Sequence, residues 1–98
     1  MKTQKIYRKS LQRYLFDEIT LTGICSHRGE NTLLTKVYIP PQLDFDEMYV
    51  HHLWVDGNLF TREMSGKRVW VTGEVYYYDK GVNNYSYSVT PKKVWKEE

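Results

Sequence analysis

Apolar and polar positions alternate with period two along most of this chain, the spacing of strands with one buried face. In "FDEITLTGICSHRG", Ile19, Leu21, Gly23 and Cys25 alternate with Thr20, Thr22 and Ser26, predicting a strand that ends at a turn around Gly29. "NTLLTKVYIPPQ" predicts a second strand, halted at Pro40 and Pro41, which cannot donate to a ladder. "YVHHLWV" predicts a third, running into the turn signal "DGN". "LFTREMSG" leaves room for two helical turns at most before Gly66. "KRVWVTGEVYYYD" is the clearest strand, and "KGVNN" the turn into a fifth, "YSYSVTPKKVW". Residues 1–16 read as an amphipathic helix or an extended arm preceding a body over residues 17–98.

Five strands, with a short helix between the third and fourth, predict an all-β fold: a five-stranded OB-like Greek-key barrel with a basic N-terminal arm. An SH3-like barrel or another small β-roll shares the strand count, and the connection from the third strand to the fourth favours the OB arrangement. "GKRVWVTGEVYYYDKG" followed by "YSYSVTPKKV" resembles the last two strands of small OB-fold nucleic-acid-binding proteins. "HHLWV" is similar to a third-strand element in small OB-like proteins of phages and mobile elements. The resemblance spans roughly residues 17–95. It implies a module that binds single-stranded DNA or RNA.

In the fourth strand, Val69, Val71, Gly73 and Val75 share the core face, leaving Arg68, Trp70, Thr72, Glu74 and Tyr76 outside. A bulge could send Tyr77 or Tyr78 to either side. By the same parity Trp54 and His52 point outward on the third strand, and Tyr38 is a further candidate on the second. Outward rings on such a sheet suit base stacking, worth ~1–3 kcal/mol per base. The competing roles for Trp70 are packing under the N-terminal arm or against a partner, and plain exposure. Arg68, Lys80, Lys92 and Lys93, with Lys67 and Lys96, offer a path for phosphates or the ordinary lysine protection of strand ends.

Composition sharpens this only in places. Nine of the fifteen aromatic residues are Tyr, a side chain suited to half-exposed recognition surfaces. Net charge is +2, unevenly spread: Lys2, Lys5, Arg8, Lys9 and Arg13 come before any acid, and the remainder carries nine basic against twelve acidic residues. A mildly acidic body argues against indiscriminate polyanion binding and leaves open a protein-interaction subunit or inhibitor of a nucleic-acid-processing enzyme.

One cysteine, Cys25, excludes an internal disulfide and a cysteine-based zinc site, which suits a cytoplasmic setting. No stretch approaches the roughly 20 apolar residues of a membrane span, and no membrane partner is expected. His51 and His52 are adjacent, so on a strand they face opposite ways and cannot share a metal ion. Asp44, Asp46 and Glu47 cluster without a nucleophile–base pair, and the glycines are scattered singly. Neither catalysis nor a cofactor is expected.

Overall fold

In a computed structural model, which describes residues 11–28, 30–79 and 85–97, five strands follow one another: β1 (Glu18–Arg28), β2 (Asn31–Ile39), β3 (Met48–Asp56), β4 (Arg68–Asp79) and β5 (Tyr85–Lys96). They close into a ring in the order β1-β2-β3-β5-β4, with β4 pairing back onto β1. All neighbouring pairs are antiparallel except β3 and β5, which meet in parallel at Val55 and Val89. Ring closure removes the unpaired edges that an open sheet of this size would expose.

The core fills the ring. Val69, Val71 and Val75 of β4 are fully buried, as their alternation requires, and face Ile19 and Leu21 of β1, Leu34 and Val37 of β2, and Val89 of β5. Burying each such side chain contributes roughly 1.5–3 kcal/mol. Cys25 lies in this cluster, and burial pushes its thiol pKa upward. Gly73 sits where β5 leaves no room for a side chain on β4. An added Cβ would lie 2.4 Å from the Thr90 carbonyl oxygen and 2.9 Å from Pro91 Cα. The β4–β5 register shifts at the same place, between Thr72 and Gly73, which accommodates Pro91 within β5.

Pleating is also interrupted in β2 and β3 together. Leu34 and Val37 are both buried although three residues apart, and so are Val50 and Leu53. Lys36 takes a left-handed backbone, φ 50°, between the paired positions Thr35 and Val37. The register is unchanged across this step, since Thr35 pairs with His52 and Val37 with Val50. Strict alternation from Leu34 or Leu53 would send Tyr38 and Tyr49 into the core. The step turns both outward.

The connection from β3 to β4 corrects the expected short helix: it holds a single 3-10 turn, Arg62–Met64. Phe60 is buried at its start, and Gly66, at φ 84°, closes it. The Gly66 N–H donates to the Cys25 carbonyl, and the Cys25 N–H donates to that of Lys67. Anchored at both ends, the segment is too short to offset the cost of nucleating an α-helix.

Ahead of β1, Gln12–Tyr14 forms another 3-10 turn. Leu11 and Tyr14 are buried in the same core as the strands. The chain then runs beside β4, where the Phe16 N–H donates to the Val75 carbonyl and the Val75 N–H donates to that of Asp17. Lys2, Lys5, Arg8 and Lys9 of the basic arm lie outside the described residues, as do Gly29 and residues 80–84, where a turn containing Lys80 was expected.

Candidate functional site

The step at Lys36 shapes the outer surface. Turned outward, Tyr38 and Tyr49 form a directly opposed cross-strand pair, ring centroids 5.0 Å apart and tilted by 41°. Tyr49 keeps 64% of its surface exposed. The Tyr38 hydroxyl donates to Glu47 at 2.8 Å, and that hydrogen bond to a carboxylate pushes the phenol pKa upward.

Across the ring, Trp70 of β4 is half-buried and opposes Trp95 of β5. The indoles stack at 15° with centroids 6.5 Å apart. The Trp70 indole N–H donates to Glu97 Oε1 at 3.0 Å, and the Glu97 backbone N–H donates to the Arg68 carbonyl at 3.0 Å. Lys93 projects over the Trp95 ring, its ammonium 5.2 Å from the centroid, a cation–π contact.

Between the tyrosine pair and Trp70 runs an open groove of about 650 Å³. Lys36, Tyr38, Tyr49 and His51 line it from β2 and β3, and Arg68 and Trp70 from β4, together with Thr22, Glu97 and the core valines Val37 and Val50. Thr22 is buried beneath, and its hydroxyl donates to the Val69 carbonyl at 2.7 Å. Arg68 reaches the same hydroxyl at 3.5 Å, so its guanidinium is drawn toward the groove floor.

The residues named from sequence are divided by this geometry. Arg68 and Trp70 line the groove. Trp54 is 44% exposed on the outer face of β3 and Tyr76 is half-buried on β4, and neither contributes to the groove wall. Lys92 is exposed but pairs with Glu18 at 3.0 Å, which holds its pKa above the usual lysine value and offsets its charge. Lys93 is exposed beside Trp95. Lys96 lies 3.5 Å from Glu63.

Sequence reasoning passed over Lys36, Tyr49, Trp95 and Glu97. The one signal for Tyr49 was its near-symmetric placement with Tyr38 around the connection between the second and third strands. Nothing local marked Lys36 or Glu97.

Among the described residues, no group of three or more His, Cys, Asp or Glu side chains is placed to hold a metal ion. No helix among them is long and apolar enough to cross a membrane. Comparison with known protein families, curated proteins and solved structures finds no match to this chain.

Proposed function

We propose that this chain is an OB-type module without catalytic activity that binds single-stranded nucleic acid in the groove between Tyr49 and Trp70. The observation that carries the reading is the composition of that groove. Tyr38 and Tyr49 stand on one side and Trp70, stacked on Trp95, on the other, and Lys36 and Arg68 are part of the same lining. Flat rings accept bases of any identity, and interspersed cations follow the backbone. The strand order of the ring, with β3 and β5 meeting in parallel, supports the OB assignment. OB folds bind oligonucleotides on the face of strands two and three, where Lys36, Tyr38, Tyr49 and His51 lie.

The test is fluorescence anisotropy with labelled oligo-dT and oligo-U over a salt series. If Lys36, Arg68 and Lys93 each neutralise a phosphate, log K should fall against log salt with a slope of about −2. Absence of binding to any single strand at low salt would defeat the proposal.

A second reading, a protein-interaction subunit, is favoured by a specific feature. Glu18 and Glu63 offset Lys92 and Lys96, and Glu47 and Glu97 sit against the aromatic rings. These carboxylates lower the positive potential a phosphate chain would meet. Under this reading the aromatic surface captures a protein and oligonucleotides do not bind at physiological salt.

A further inference from the structure

Glu97 is out of place in a surface meant for phosphates. Of the residues lining the groove it alone is acidic. It is held in two places: its backbone N–H on the Arg68 carbonyl and its carboxylate on the Trp70 indole N–H. It makes no ion pair among the described residues. A carboxylate offers about four lone-pair sites, so one hydrogen bond from Trp70 leaves most of its accepting capacity free. Directed into a groove between cations, it repels phosphates and attracts hydrogen-bond donors.

Resting on the nucleic-acid reading, we propose that Glu97 makes the groove selective for guanine within a single strand. Single-stranded recognition stacks splayed bases on aromatic rings and reads their Watson–Crick edges. On that edge guanine presents two adjacent donors, N1–H and N2–H, matching the two oxygens of one carboxylate. Thymine and uracil present one N–H flanked by carbonyl oxygens, which a carboxylate repels. Cytosine and adenine present one amino group beside a ring-nitrogen acceptor. A guanine lying beside Trp70 satisfies Glu97, while Lys36 on the opposite wall and Arg68 on the same wall hold the flanking phosphates.

The experiment compares three labelled oligomers by anisotropy at low salt: oligo-dT, and the same strand with one central guanine or one central cytosine. Wild type and Glu97→Gln are measured in parallel, with thermal unfolding of both as a folding control. A bidentate base contact predicts that wild type binds the guanine oligomer at least about fivefold more tightly than the other two. In Glu97→Gln the preference disappears, because the amide replaces one acceptor with a donor facing guanine's donors. If oligo-dT binds and guanine brings no gain, or if the gain survives Glu97→Gln, selectivity by Glu97 is overturned while the nucleic-acid reading stands. If no oligomer binds, both fail together.

Discussion

Replacing Gly73 with alanine tests whether β4 and β5 meet as closely as the ring requires. The new methyl carbon would stand 2.4 Å from the Thr90 carbonyl oxygen, 2.8 Å from Val89 Cγ1 and 2.9 Å from Pro91 Cα. Two of these three atoms belong to the backbone, so no rotamer change can clear them. Strand β5 must move, and it cannot move alone: it pairs with β4 along its length and reaches β3 at Val89. Overpacking a well-filled core costs typically 1–3 kcal/mol, and backbone opposition places Gly73→Ala near the top of that range, about 3 kcal/mol. For a domain of this size that lowers Tm by roughly 12–24 °C. Gly66→Ala is the control, because its cost has a different origin. Gly66 has φ 84° and nothing within 4 Å of its added methyl, so only backbone strain of about 1 kcal/mol applies, or roughly 4–8 °C. Thermal unfolding followed by far-UV circular dichroism measures both variants. A Gly73→Ala protein that melts no lower than Gly66→Ala would refute the close approach and the packing argued from it.

Tyr14 is fully buried, edge-on to Phe45 at 5.4 Å, and its hydroxyl lies near the Arg13 guanidinium without closing a well-formed hydrogen bond. Tyr14→Phe should therefore match or exceed wild type in urea unfolding, whereas Tyr14→Ala should lose about 3–5 kcal/mol. Tyr49→Ala should weaken oligonucleotide binding by ~1–3 kcal/mol, with Trp54→Ala near wild type because Trp54 lies off the groove, as anisotropy will show. Lys36→Ala should flatten the salt dependence by about 0.7 in slope, while Lys92→Ala, whose charge is already offset by Glu18, should alter it less. Burial raises the Cys25 pKa in the folded state, so the unfolded chain releases its thiol proton first. The resulting contribution is complete below the ordinary thiol value of about 8.5 and is lost as pH rises through the folded pKa. Cys25→Ala should accordingly make the alkaline decline of Tm shallower.

The sequence alone determined those features whose cause is local. The valines of β4 occupy one face because a strand alternates, and Pro40 ends β2 because it lacks an N–H. The outward direction of Trp70 followed from the same alternation. Tyr49 was illegible for a converse reason: a left-handed residue at Lys36 shifts the parity of β2 and β3 together, and counting from Leu34 or Leu53 gives the wrong face. Local propensity does not announce that step, since lysine seldom adopts positive φ. The offset charge of Lys92 depends on Glu18, 74 residues away, and the carboxylate at Trp70 comes from Glu97, 27 residues on. The first pairing arises only when β1 and β5 come to lie on either side of β4, and the second only when β4 and β5 pair in this register. Periodicity records which face a side chain takes; which neighbour it meets there is decided by register, and register belongs to the assembled sheet.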